Sequence, residues 1–585
     1  MLICLIHIFL RKYYIDFPNI IQYSISNTHF FDLTYIIFFI SSILIYFSGI
    51  YSRDISYFIL ITLMSILIYL EIINKKININ KIIIKIMLLA ANLQAGLYYL
   101  FPSIIGYDAY AHIKIINYLS SLGHMPPIED SGKYFFSPIF YLYVSIFNNI
   151  SNLNTKNSLF IAIGLANIVM SLFVYLITKH FINVRAALLS ILIFNFINVN
   201  IVNDIANITP GSYVLMIFFL MIYTIFIKGK YYYVIIPFLS LIISFTHQLT
   251  TFIILLTFIV IYFIKIFYSI FIKLRGLIQI NFYYIIFFLV SLYISWNITY
   301  VYINISFFDF VFKPFSQMLF SIIKINPSIM TTGKSLENVS YLDYNILQLT
   351  YLLFPIISIG GSLLWLRNKD LKKIVISITF LFLFALSYLI PLLGFENFLT
   401  DRWTPYIYLF AMPLFSIYFF NLIKRINKNK IRIIFSCAFI FLLIFTSITS
   451  PVVNKVNPLI QKNISERNQF TQSEIIPLKY IQNNYNGLIT MDISFSDCYS
   501  LYGLNVTQFY QNQNTINLFN INLLNTKNVN TKNNLILFRK ALLNRPIEIV
   551  SNDTVVYGII NKIIYNNFMK KNLVYSNKAL LLFIK

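Results

Sequence analysis

Charge is what this chain of 585 residues has least of. Asp, Glu, Lys and Arg make up 11% of it, against about 25% in a soluble domain, which excludes an ordinary water-soluble fold. Cysteine is scarce too, with 3 in the whole chain, and only Cys498 lies beyond residue 451. A lone cysteine closes no disulfide, so the C-terminal part is not a cysteine-stapled secreted domain. A basic leader is missing. "MLICLIHIFL" carries its first charges, Arg11 and Lys12, after the apolar run, unlike a secretory signal. It is also too short to span and reads as an interfacial segment. The apolar runs hold almost no ionisable group in their central parts, which disfavours ion-coupled transporters and voltage sensors. A phosphate-binding loop is missing as well. "TTGKS" (331–335) lacks the first glycine at the required spacing, so a nucleotide-driven motor is excluded.

What remains is hydrophobic: 58% of the chain is apolar and 18% of the chain is aromatic, with mean hydropathy +0.75. Many windows of ~18–20 residues lack any charge, the length that crosses a hydrocarbon core. The expected fold is an all-α polytopic membrane protein of about thirteen transmembrane helices. Their places are near 33–50, 55–73, 82–101, 158–178, 186–202, 212–228, 231–246, 250–270, 281–301, 347–366, 374–393, 404–423 and 432–450.

Lys and Arg then give the orientation. One set of loops reads "NKKININK", "KHFINVR", "KGK", "KLR", "RNKDLKK" and "KRINKNKIR". The alternate set reads "YSRD", "VNDIANITPGS", "THQLT" and "GFENFLTDRW". The basic set faces the cytoplasm. An odd span number then leaves the N-terminus cytoplasmic and 451–585 extracytoplasmic, in a multi-pass protein of the plasma membrane. Three units follow: 1–81 with an extra hairpin, a core at 82–450 with its first external loop at 102–157, and the tail.

The tail changes character. Short apolar runs such as "LITMDIS", "NLILF", "IEIVS" and "ALLLFIK", after the helix-period "SEIIPLKYIQNN", predict a small α/β domain. The Asn-rich 511–534 is expected to be loop. The tail carries 14 Lys and Arg against 6 Asp and Glu, a balance that suits anionic lipid headgroups or a plain solvated surface.

Candidate chemistry gathers on the external side. Asn92 and Gln94 lie in the outer half of one span, and Asn195, Asn198, Asn200 and Asn203 in another. Thr246, His247 and Gln248 cap a third. Polar groups at this depth face a cavity or a neighbouring helix, and the set predicts an outward-facing cavity. In "IGYDAYAHIKIINYLSSLGHMPP" (105–127), Asp108 and His112 are four apart and share a helical face. Gly106 allows entry to that helix, and Gly123 with Pro126 and Pro127 ends it. A carboxylate at headgroup level suits a general base that deprotonates an acceptor hydroxyl. Beyond it stand Glu396 and Arg402, with Asp401 beside the arginine. Arg402 has the bidentate geometry of a phosphate clamp or makes a surface pair with Asp401.

The run "GYDAYAHIKIINYLSSLGHMPP…KYFFSPIFYLYVSIF" resembles the GT-C membrane glycosyltransferases, in particular archaeal members related to the dolichyl-phosphate-mannose–protein mannosyltransferases. "SFTHQLTTF" resembles a His-x-Leu-Ser/Thr element of similar archaeal membrane proteins. The resemblance covers roughly 82–450. It implies transfer of a sugar from a polyprenyl-phosphate donor to an acceptor on the extracytoplasmic face, with inversion. It maps the acidic catalytic residue to Asp108, in a G-x-D-x-x-x-H pattern that ends at His112. Beside the resemblance, His247, Glu396 and Arg402 are the substrate-binding candidates. Ala109 stands where many members carry a second acidic residue. A divalent metal is the one cofactor the resemblance leaves open. The expected partners are the polyprenyl-phosphate sugar, a glycan, lipid or protein acceptor, and membrane lipids, with no nucleic acid. Two other classes compete: a glycan polymerase or ligase, and a non-catalytic lipid or polysaccharide transporter. The first normally carries Arg and His in a large late external loop, whereas 302–346 offers only Lys313, Lys324 and Lys334 as bases. The second needs no fixed carboxylate in the first external loop.

Overall fold

The computed structural model describes residues 28–49, 51–197, 201, 208–226, 232–271, 282–303, 341–367, 370–389, 403–450, 453–454 and 469–484, with short pieces between 489 and 584. Helices form on the apolar runs, and several begin where a short polar side chain takes an unpaired amide. The first three are α1 (Thr28–Ser48), α2 (Ile55–Ile73) and α3 (Ile79–Tyr98). Asp54 caps α2 by accepting from the Ser56 amide, and Asn78 caps α3 through Lys81. The amphipathic α4 (Tyr107–Leu122) and α5 (Ile139–Ser151) fill the first long loop. Then come α6 (Thr155–Phe181), α7 (Val184–Phe194), α8 (Pro210–Phe226), α9 (Tyr232–Ser244), α10 (Gln248–Phe271) and α11 (Phe282–Ile303). The bundle closes with α12 (Tyr341–Leu366), α13 (Leu371–Phe384), α14 (Thr404–Lys424) and α15 (Asn429–Thr449). Among the described residues 8 helices are long and apolar enough to cross a membrane: α1, α2, α3, α6, α10, α13 with its π-helical extension, α14 and α15. The protein is thus an all-α polytopic membrane protein through residue 450.

One expected span is shorter than its apolar run. The 186–202 stretch is helical as α7 only to Phe194. Asn195 follows, and its amide donates to the Ile191 carbonyl (2.8 Å) and to Ser171 Oγ (3.1 Å) on α6. A side chain that competes for backbone partners favours a helix end.

The core is built around α14, buried along nearly its whole length against α12, α7 and α13. Gly360 and Gly361 let α12 approach it. A Cβ at Gly361 would run into the Leu414 carbonyl, and one at Gly360 into the Tyr418 ring. Close backbone approach through small residues is how helices associate where lipid removes the hydrophobic drive. At the edge, α1 is fastened by ions. Lys81 and Lys85 of α3 pair with Asp32 of α1, and Lys85 pairs also with Glu71 of α2.

Where they are described, the two sets of loops separated by charge lie at opposite ends of the bundle. At one end Arg185 donates to the carbonyls of Ile72 (3.2 Å), Asn74 (2.9 Å) and Lys75 (3.2 Å). Lys372 donates to the Phe226 carbonyl there (3.0 Å). At the other end Arg53 donates to Asn454 Oδ1 (2.6 Å) and the Gln472 amide to Tyr51 Oη (3.0 Å). The Phe470 amide donates to Ser103 Oγ (2.7 Å) in the same region. Burial lowers Arg53 to about 10, so it remains a cation at neutral pH, stacked over Phe58.

Beyond 469 the described residues form α16 (Gln472–Asn484) and strands β1 (Ile489–Met491), β2 (Thr515–Asn517), β3 (Leu535–Arg539), β4 (Ile547–Ser551), β5 (Thr554–Gly558), β6 (Asn572–Ser576) and β7 (Leu580–Ile584). The sheet order is β2-β1-β3-β7-β6, with β1 parallel to both neighbours and β7 antiparallel to both of its own. β4 and β5 form a separate hairpin pair. β2 falls within the Asn-rich stretch expected to be loop. The Thr515–Asn517 backbone pairs with β1, and that pairing outweighs poor core-forming composition.

Candidate functional site

The site is built on α4, which starts a few residues after α3 ends. Gly106 sits at its N-cap with φ 93°, and Gly123 closes it with φ 78°. Both are left-handed positions that favour glycine. Asp108 is the second helical residue, one position inside the helix rather than at its cap. Its side chain lies outside the described residues. Ala109, Tyr110, His112, Ile113 and Ile116 turn inward, so α4 lies against the bundle end along one face.

His112 is one turn beyond Asp108 and only 4% exposed. Its Nδ1 lies 2.8 Å from the Tyr141 hydroxyl on α5. The ring packs edge-on against Tyr134 and Phe140, at 5.0 and 6.1 Å between centroids. Tyr134 belongs to the short 3₁₀ turn Gly132–Phe136, which packs on α11. Sequence pattern put His112 on the Asp108 face but did not find Tyr134 or Tyr141. Their signal was the aromatic run "KYFFSPIFYLYV".

His247 occupies the turn between α9 and α10. Its Nδ1 accepts from the Thr250 amide (3.3 Å) and lies 2.7 Å from Thr250 Oγ1. This is an N-cap contact that fixes the ring. Tyr406, in the first turn of α14, donates to the same Thr250 hydroxyl at 3.2 Å. Trp403 packs edge-on against Phe252 of α10. Glu396, Asp401 and Arg402 lie outside the described residues, but Arg402 immediately precedes Trp403 in the chain.

A backbone bond joins the two histidine neighbourhoods. The Ile139 amide of α5 donates to the Phe245 carbonyl at 3.5 Å. Tyr141, which holds His112, is two residues past Ile139, and His247 is two residues past Phe245. The structure therefore brings together the first long loop, the α9–α10 turn and the start of α14.

Three of the polar residues read as cavity lining make bonds between helices. Asn92 donates to Ser42 Oγ (2.7 Å) and accepts from the Tyr57 hydroxyl, so it bridges α1, α2 and α3. Gln248 Nε2 donates to Thr299 Oγ1 of α11 (2.7 Å), and Asn195 reaches Ser171. These are interhelical hydrogen bonds. A void of about 440 Å³ lies between α1 and α3, lined by Phe39, Tyr46, Phe47, Gly96 and Tyr99 among others, and Asn92 also borders it. Asn198, Asn200 and Asn203 lie outside the described residues.

Two exposed carboxylates also belong to the first long loop. Burial and then the neighbouring Glu129 charge raise Asp130 above the ordinary carboxylate value. Among the described residues no three His, Cys, Asp or Glu side chains converge to hold a metal. His112 is surrounded by hydroxyl and aromatic groups, which do not form a divalent-cation cage.

No protein-family model matches the chain. No curated protein matches it either. Among solved structures it is similar to the crystal structure of the Archaeoglobus fulgidus oligosaccharyltransferase in the apo form, with 11% identity and TM-score 0.47 over 72% of this chain. The chain spans 64% of the length of that protein. A second crystal structure, the same enzyme in complex with Zn and sulfate, is similar at 11% identity and TM-score 0.44, covering 81% of this chain and 73% of that one.

Proposed function

We propose that the protein is a GT-C-type membrane glycosyltransferase that moves a sugar from a polyprenyl-phosphate carrier to an acceptor on the extracytoplasmic face. Asp108 is the general base. Its carboxylate takes the proton of the acceptor hydroxyl as the acceptor oxygen forms its bond to the anomeric carbon. The bond from that carbon to the phosphate oxygen breaks from the opposite side, so the configuration inverts and polyprenyl phosphate leaves. His112, held by Tyr141, orients the base. Arg402, His247 and Glu396 meet the phosphate and the sugar, because a fixed cation stabilises the departing charge. The acceptor is a glycan, a lipid or a protein.

The observation that carries this reading is the placing of α4. A glycine-started amphipathic helix follows directly on a span, with position 108 in its first turn and the buried His112 one turn later. The same end of the bundle receives the α9–α10 turn and the start of α14. The reading includes a plasma-membrane location, a cytoplasmic N-terminus and an extracytoplasmic α/β tail.

Asp108→Asn tests it. The substitution keeps the shape of the side chain and removes the proton acceptor. General-base catalysis contributes roughly 10²–10⁴-fold, so release of polyprenyl phosphate from a labelled lipid-linked sugar should fall by about that much. Binding of the donor should change little. Near-normal turnover of Asp108→Asn would exclude the assignment.

A further inference from the structure

Lys156 sits in the first turn of α6, and all three hydrogens of its ammonium have a backbone acceptor. Nζ lies 2.5 Å from the carbonyl oxygen of Phe101, 3.3 Å from that of Pro102 and 2.9 Å from that of Ser103. The same nitrogen stands over the rings of Tyr98 and Tyr99, at 5.3 and 5.4 Å. The Tyr98 hydroxyl returns a bond to the Lys156 carbonyl (3.0 Å). An ammonium has three donors and no acceptor, so Lys156 has nothing left to give a phosphate. Its place at the end of α3 also satisfies the negative pole of that helix.

The carbonyls it holds are the entry to α4. Phe101 and Ser103 are buried, and buried carbonyls need partners. Ile104 accepts from the Tyr110 hydroxyl on α4. Ser103 is fixed from its other side by the Phe470 amide. The residue before the lysine completes the arrangement: the Thr155 hydroxyl donates to Asn117 Oδ1, on α4. One turn of α6 thus holds the segment that leads into α4 through Lys156 and the middle of α4 through Thr155. Asp108 lies between them.

We infer that Lys156 is a positioning residue, whose bonds to residues 101–103 hold the first turn of α4, and with it Asp108, in register for transfer. This rests on the function proposed above. Misplacement of a reacting group by about 1 Å costs on the order of 10²-fold in rate. Lys156 therefore controls turnover without touching donor or acceptor.

Lys156→Met keeps the length and the contact with the tyrosine rings and removes the three donors. Turnover should fall roughly 10- to 100-fold, with KM for the lipid-linked donor within about threefold because no ligand contact is lost. Lys156→Arg, which still reaches several carbonyls, should recover part of the loss. Amide hydrogen exchange supplies a reading independent of activity. In Lys156→Met, exchange should accelerate across 104–112 and stay unchanged across α14. Unchanged exchange at 104–112, or acceleration throughout the bundle, would overturn the inference, and so would full turnover of Lys156→Met beside an inactive Asp108→Asn. Normal turnover of Asp108→Asn would instead remove the proposed function, while the exchange measurement still decides whether the clamp exists.

Discussion

Tyr141→Phe isolates one hydroxyl at the site. The aromatic ring stays, so the contacts with Tyr134 and Phe140 stay. The 2.8 Å partner of His112 Nδ1 goes. His112 is 4% exposed, so bulk water does not replace that partner freely. Loss of one partner of a buried neutral hydrogen bond costs about 1–2 kcal/mol. At 1.36 kcal/mol per decade this is roughly 5- to 30-fold in the population of the oriented imidazole, and in turnover if orientation limits the rate. Transfer from a labelled lipid-linked sugar measures it, with thermal melting in detergent as the check on folding. His112→Ala should cost at least as much, and Tyr141→Phe added to His112→Ala should cost nothing further, because both act through one contact. Full turnover of Tyr141→Phe beside a weakened His112→Ala would refute the orienting role. Additive losses would mean that the hydroxyl acts on something other than His112.

Two further outcomes test the frame around the site. Lys85→Met leaves Glu71 buried without its cation, and removing one member of a buried pair costs about 3–5 kcal/mol; melting in detergent should show a large loss, largely recovered by Glu71→Gln in the same chain, and parental stability of the single variant would remove the ionic fastening. A cysteine introduced in 424–432 should be shielded from an impermeant thiol reagent in intact cells, whereas one in 470–580 should react. The reverse labelling would put the Asp108 end of the bundle in the cytoplasm.

Much of the fold was legible because its signals are local. The apolar runs locate the helices. Asp54, Asn78, Asn154, Asn183 and Asp370 each accept a bond from an amide in the first turn that follows. Gly106 and Gly123 bound α4 as their backbone angles require. The site was legible only in part, because its partners are not local. Helical spacing puts Asp108 and His112 on one face, yet it cannot say that Tyr141, 29 residues away, meets the imidazole. Nor can it separate an asparagine that lines a cavity from one that bridges helices: Asn195 bonds across to Ser171, while Asn92 bridges α1 and α3 and also borders the void between them. The fastening of α1 was hidden for the same reason. Lys81 and Asp32 stand 49 positions apart, and Lys85 and Glu71 stand 14 apart on different helices.

Scarcity of charge makes each described cation informative, and it bears on the orientation argument. Arg185 and Lys372 belong to the basic loops, yet both spend donors on neighbouring backbone carbonyls. Arg53 and Lys156 do similar work at the opposite end. A tertiary fastener of this kind must lie near the membrane surface, where an unneutralised cation is tolerable, whichever surface that is. Fasteners therefore say where an interface is, not which one. The directional information rests on the surplus: Lys75, Lys76, Lys424, Arg425, Lys428 and Lys430 all lie at the Arg185 end, whereas the turn at the Asp108 end between α1 and α2 holds Arg53 alone with Asp54. An excess of Lys and Arg in short loops sets topology even where part of it is bonded. The proposed chemistry needs that surplus to face the cytoplasm, because only then does the carboxylate of α4 meet a lipid-linked sugar on the outer side.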